Sequence, residues 1–101
     1  MTTKKKIEQH MDRVKKLLIK KNKSYGDSAT NPKNIFAKGN AVDNLCARID
    51  DKLSRIGNAG ISPEIYDTID DLIGYLCLLR IAIEESDITE SYFPELQEKE
   101  K

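Results

Sequence analysis

Arg48-Ile49-Asp50-Asp51-Lys52-Leu53-Ser54-Arg55, then Gly57-Asn58-Ala59-Gly60, then Asp67-Thr68-Ile69-Asp70-Asp71-Leu72-Ile73-Gly74-Tyr75: this succession, within Leu45 to Tyr75, decides the fold. Its aliphatic residues recur at three- and four-residue intervals, a helical period, and the glycine-containing break separates one helix from the next. Acids and bases crowd both helices. A fold does not bring that much charge toward its middle without a partner for it, so the chemistry is expected here as well.

Working outward, the earlier of the two helices is predicted over Ala41 to Ile56, with Asn40 as N-cap and Asp43 three residues on. Leu45, Ile49, Leu53 and Ile56 form its buried stripe. At about 100° per residue Lys52 falls at the margin of that stripe, with Arg48, Asp51 and Arg55 completing a charged strip beside it. Pairing on a solvated face accounts for most of the strip; it accounts poorly for Lys52, although a lysine stem can snorkel. The later helix starts conventionally at Ser62-Pro63-Glu64, with a capping hydroxyl, a first-turn proline and an acid at the positive dipole end, and runs to Glu85. Ile65, Ile69, Leu72, Leu76, Leu79 and Ile83 make one face; Asp67, Asp71, Gly74 and Leu78 make the opposite stripe. From Ile73 to Ile83 it is apolar nearly all round, which implies cover on both sides. Two other helices can hardly supply that, so a second subunit is expected.

A first helix is predicted over Lys4 to Lys23, with Ile7, Met11, Val14 and Leu18 at helical spacing. Its lysines gather toward the C-terminal end, where they complement the dipole. A solvated face is the ordinary reading of such a run; the alternative is that Lys21 or Lys23 reaches an anion. His10 lies on the polar side, which disfavours a metal-binding role. Gly26 supplies the positive-φ stop. Residues 24–40 read as an ordered loop, long for so small a domain and therefore expected to have a task, with Ile35, Phe36 and Ala37 as its anchor. Tyr25, Asn31 and Asn34 suit recognition of a base or sugar by stacking and amide hydrogen bonds, and equally suit turns that satisfy their own backbone. Residues 86–101 form a tail in which Tyr92, Phe93 and Pro94 pack briefly.

At 101 residues the chain is one domain, and its expected class is all-α: a small bundle of three main helices plus a short C-terminal segment, completed by oligomerisation to a dimer or tetramer. Lys plus Arg and Asp plus Glu are each 17, a balance that argues against binding a nucleic-acid polymer. No apolar run spans a bilayer and no targeting segment is seen, so a soluble cytoplasmic protein without a membrane partner is expected. Cys46 and Cys77 lack CxxC spacing and read as buried free thiols.

Asp67 and Asp71 stand one turn apart and repel unless something positive lies between them. Arg48, Lys52 or Arg55 would do this as an internal ion-pair network, Mg²⁺ would do it together with the phosphates of a nucleotide, and water and salt would do it on an open face. Lys21-Asn22-Lys23-Ser24-Tyr25-Gly26-Asp27, Arg48-x-x-Asp51-Lys52-x-x-Arg55 and Asp67-x-x-x-Asp71-Leu72-x-Gly74-Tyr75, in that order, resemble the nucleotide-modification-associated domain family of phages and bacteria. That family is similar in helical pattern to the MazG-like all-α nucleoside triphosphate pyrophosphatases. The resemblance covers roughly Ile7 to Ile83.

The resemblance implies a helical bundle that oligomerises, with acids on two helices facing a nucleotide's phosphates. Asp51, Asp67 and Asp71 would be its catalytic and Mg²⁺-binding residues. Lys21, Tyr25, Asn34, Arg48, Lys52, Arg55 and Tyr75 would be its nucleotide-binding residues. The MazG-like pattern places E-x-x-E on one helix and E-x-x-D on the next. Here the earlier helix has Asp50 and Asp51 side by side, with Lys and Arg where further acids belong; on the later helix Asp67-x-x-Asp70 or Asp67-x-x-x-Asp71 would stand in. That departure counts against hydrolysis and leaves phosphate binding by cations, to which Arg48 and Arg55 are suited. The expected functions are therefore a nucleotide-binding protein resembling Mg²⁺-dependent pyrophosphohydrolases, a non-catalytic nucleotide-sequestering protein, in the host cytoplasm if phage-encoded, or a structural helical module.

Overall fold

The computed structural model describes residues 1–33 and 39–86. Three helices follow one another: α1 (Thr3–Tyr25), α2 (Ala41–Ala59) and α3 (Ile65–Glu85). The fold is an all-α small bundle, as expected; Asn34, the anchor Ile35-Phe36-Ala37 and the tail aromatics Tyr92 and Phe93 lie outside the described residues.

Local chemistry sets each boundary. The Thr2 hydroxyl accepts from the Lys5 N–H at 3.2 Å and starts α1. Gly26, with φ 58°, ends it. Helix α1 thus runs through Ser24 and Tyr25, which had been expected in the loop, because the first left-handed residue is Gly26. The Asn40 carboxamide accepts from the Asp43 N–H at 2.8 Å and caps α2. The break expected at Gly57 is delayed: Gly57, Asn58 and Ala59 stay helical, and the reversal falls at Gly60, whose φ of 67° only glycine adopts readily. Ser62-Pro63-Glu64 forms a turn, with the Ser62 carbonyl accepting from the Ile65 N–H at 3.0 Å, so α3 begins nearly a turn later than its sequence signals suggest.

Helix α3 is the centre. It packs against both α2 and α1, while α1 and α2 make no direct backbone-level packing with each other among the described residues. The core is Leu45 with Leu78 and Ala82, backed by Leu18, Val42, Tyr75 and Leu79. Val14 is the one buried residue of α1. A Cβ on Gly74 would come to 3.3 Å from Leu18 Cδ1, so the missing side chain is what lets α1 lie close to α3.

Four expectations of packing are corrected. Of the expected buried stripe of α2, Leu45 is buried and Ile49 and Ile56 half-buried, but Leu53 is 53% exposed, because it lies about 80° round the helix from Leu45. The face of α3 turned inward carries Thr68, Gly74, Leu78 and Ala82, the side of the stripe bearing Asp71, whereas Ile69 and Leu76 of the aliphatic stripe are exposed. The α1 stripe is covered only at Val14 and Leu18, leaving Ile7 and Met11 exposed, because α3 reaches only its C-terminal half. Cys46 and Cys77 are free as expected but exposed rather than buried, since both fall outside the inward arcs of their helices. No helix among the described residues is long and apolar enough to cross a membrane.

Candidate functional site

Because α1 and α2 diverge on either side of α3, a cavity of about 510 Å³ opens between them. Its floor is aliphatic: Val14, Leu18, Leu45 and Leu78. Tyr25 and Tyr75 border it, together with the cations Lys21, Lys33 and Arg48, the amides Asn22 and Asn44, and the carboxylates Asp70 and Asp71. A volume of this size suits a small organic molecule, for which such sites combine apolar walls with a few fixed polar groups.

Asp71 organises the polar wall. Its Oδ2 lies 3.0 Å from Lys52 Nζ and its Oδ1 lies 3.4 Å from Lys21 Nζ, so one carboxylate ties all three helices together. The Lys52 side chain is only 13% exposed. Lys52 is at the core margin, as the wheel position predicts, and its charge is answered there by Asp71. Burial pushes the Asp71 carboxyl up; the Lys52 hydrogen bond and charge, with those of Lys21, outweigh it and hold the group below the ordinary carboxylate value. Beside it, Asp70 receives a bidentate pair from Arg13, at 2.5 and 3.0 Å. That hydrogen-bonded guanidinium, against the opposing effect of burial, keeps the Asp70 carboxyl low as well. Both cavity carboxylates are therefore ionised and neutralised by the chain itself. Arg48 lies over the Tyr75 ring, 5.9 Å from its centroid, in cation–π geometry.

The loop after α1 covers one end. Gly26 and Asp27 are both left-handed, Asp27 with φ 60°, a conformation Asp tolerates better than most residues. The Asn22 amide donates to Asp27 Oδ1 at 2.6 Å, and the Asp27 carbonyl accepts from the N–H groups of Thr30 and Asn31 at 3.2 and 2.9 Å. This knot sets Ser28, Ala29, Pro32 and Lys33 along the cavity edge. Asn31 is exposed and engaged in the turn, so it follows the turn reading rather than the base-recognition reading.

The expected site residues thus divide. Lys21, Tyr25, Arg48, Tyr75 and Asp71 come together at the cavity, with Lys52 behind Asp71. Arg55 does not line it: it pairs with Asp51 at 3.3 Å, both side chains 60% exposed, an i,i+4 pair on the open face of α2. Asp67 is exposed in the first turn of α3, where an acid complements the helix dipole. Asp51, Asp67 and Asp71 are consequently not gathered, and the described residues contain no group of three or more His, Cys, Asp or Glu side chains able to hold a metal ion. With both Asp71 oxygens facing ammonium groups, this donor set does not fit Mg²⁺. Sequence reasoning missed Arg13, Asn22, Lys33 and Asn44. Arg13 and Asp70 are 57 residues apart, with no local pattern linking them, whereas Asn22 stands in the quoted Lys21–Asp27 block and was the discoverable one. Comparison with protein-family models, with curated proteins and with solved structures yields no significant match for this chain.

Proposed function

We propose that the chain binds a nucleotide in the cavity between α1, α2 and α3, as a binding protein rather than a metal-dependent hydrolase. The observation that carries this is the composition of the cavity wall. Lys21, Lys33 and Arg48 stand beside an aliphatic floor and two tyrosines, while the two carboxylates present are already balanced by Arg13 and Lys52, so that Lys21, 3.4 Å from Asp71, adds a positive charge in excess. Such a wall offers surplus positive charge to phosphate and an apolar, aromatic surface to a base. Lys21 and Arg48 take the phosphate side; Tyr25, 66% exposed at the edge, is available to stack on the base.

Hydrolysis has less support, because it would need Asp71 to abandon two lysines and join Asp51 and Asp67, neither of which borders the cavity. Sequestration needs only the wall described. The test is thermal unfolding of the full chain with a panel of nucleoside mono-, di- and triphosphates and cyclic nucleotides. A ligand held only by the folded chain at about 100 times its Kd adds about 2.7 kcal/mol of stability. A marked rise in Tm with at least one nucleotide, reduced in Arg48→Ala and Lys21→Ala, is the expected result. A flat response across the panel refutes the proposal.

A further inference from the structure

Helix α1 is a long element held over a short patch. Its 23 residues make a rod of roughly 35 Å, yet Val14 is its one buried residue and every residue before Val14 is exposed. Its closest hold on α3 is Leu18 over the bare backbone of Gly74, flanked by two ion pairs, Arg13 with Asp70 and Lys21 with Asp71. These α3 partners all fall between Asp70 and Gly74, little more than one helical turn. The Lys21 pair is the looser, at 3.4 Å with the lysine half exposed. Arg13 makes the firmer one: both of its terminal nitrogens reach the Asp70 carboxylate, whose side chain is 15% exposed, a two-pronged geometry that is the strong form of such a pair. Helix α2 adds no direct packing on α1 among the described residues.

We infer that Arg13 and Asp70 form a latch, and that α1 opens from the α2–α3 pair as a unit while that pair stays folded. Local opening is easiest where few apolar contacts must be broken. Helices α2 and α3 share the buried core of Leu45, Leu78 and Ala82, whereas α1 has one buried side chain to give up, so it comes away first. Opening has a direct consequence for the cavity. Lys21, Asn22 and Tyr25 are its α1 wall, and Arg48, Asp71 and Tyr75 belong to the pair. The walls face each other only while α1 is closed. Arg13 does not border the cavity; it is a positioning residue, which sets the fraction of time for which the α1 wall is in place. The inference concerns the chain by itself and does not depend on what the cavity binds.

Native-state hydrogen exchange of the full chain, read amide by amide without added nucleotide, tests it. A helix owes most of its stability to packing of its apolar face, so the amides of α1 exchange once it is undocked. The expected result is one shared protection factor for Val14 to Asn22, about tenfold or more below those of Ile49 to Leu53 and of Gly74 to Leu78. Arg13→Gln is expected to lower the α1 value roughly fivefold further and to leave α2 and α3 unchanged. Asp70→Asn is expected to do the same, and the double variant no more than either alone, because the two residues act as one pair. Arg55→Gln, which breaks the open-face pair with Asp51, is expected to leave α1 unchanged. Equal protection in all three helices overturns the inference. So does an Arg13→Gln effect of the same size in α1, α2 and α3, which is what a general loss of stability produces, or an α1 unaffected by both Arg13→Gln and Asp70→Asn.

Discussion

Replacing Asp71 by asparagine removes one negative charge from a point where three helices meet, and the structure fixes the sign of the effect. If the acids of α3 repelled each other at an empty site, Asp71→Asn would stabilise the protein. Instead Asp71 faces Lys52 at 3.0 Å and Lys21 at 3.4 Å. Lys21 is half exposed and its ammonium returns to water when the carboxylate goes. Lys52 is 13% exposed and cannot do so without moving its stem, so its charge is left poorly compensated at the core margin. Exposed pairs contribute about 0.2–1 kcal/mol and breaking a fully buried pair costs about 3–5 kcal/mol. With Asp71 at 25% exposure the pair lies between these, and a loss of about 1–2 kcal/mol is expected. For a chain of this length that corresponds to a fall in Tm of roughly 5–15 °C. Chemical denaturation at one fixed protein concentration reads it directly. Lys52→Met in the Asp71→Asn background is expected to restore about half or more of the loss, since it removes the uncompensated charge and keeps the stem. An Asp71→Asn protein as stable as the parent, or more stable, refutes this account of the three-helix junction.

Acid should act through the same residues. Asp70 and Asp71 have folded-state values below the ordinary 3.8, so their contribution is complete above that value and is lost as pH falls through the depressed folded-state values. Tm measured from about pH 6 to about pH 2 is therefore expected to fall more steeply for the parent than for Asp71→Asn; parallel curves contradict it. Asn40→Ala removes the acceptor of the Asp43 N–H and is expected to cost about 1 kcal/mol in denaturant unfolding; an unchanged midpoint contradicts the cap. Gly26→Ala has open space for its Cβ, yet it must adopt φ 58°, and a loss of about 1 kcal/mol from backbone conformation alone is expected. An equal or raised stability refutes that strain.

The helices were legible because their signals are local. Asn40 before Asp43, Gly26 after Tyr25 and the three- and four-residue spacing of aliphatics each act within one or two turns, and the structure follows them with shifts of a few residues. The wheel position of Lys52 even located its side chain at the core margin. What the sequence did not reveal is which apolar arc of α3 faces its neighbours. A helix that is apolar nearly all round has no dominant direction, and the choice was made by partners elsewhere: Gly74 admits Leu18, and Asp71 receives lysines from two other helices. The site was half legible for a related reason. Lys21, Tyr25, Arg48, Asp71 and Tyr75 stand in stretches dense enough to attract notice, whereas Asp51 and Asp67 looked equivalent to Asp71 until packing sent one to open solvent beside Arg55 and the other to the start of α3.

Nuclear magnetic resonance titration of the isotopically labelled chain with whichever nucleotide raises Tm most tests the central claim directly. The account predicts backbone shift changes centred on Lys21, Asn22, Tyr25, Arg48, Gly74 and Tyr75, the residues bordering the cavity. Changes confined to Asp51, Arg55 and Asp67 on the open faces, or to the outer stripe of α3, would contradict it.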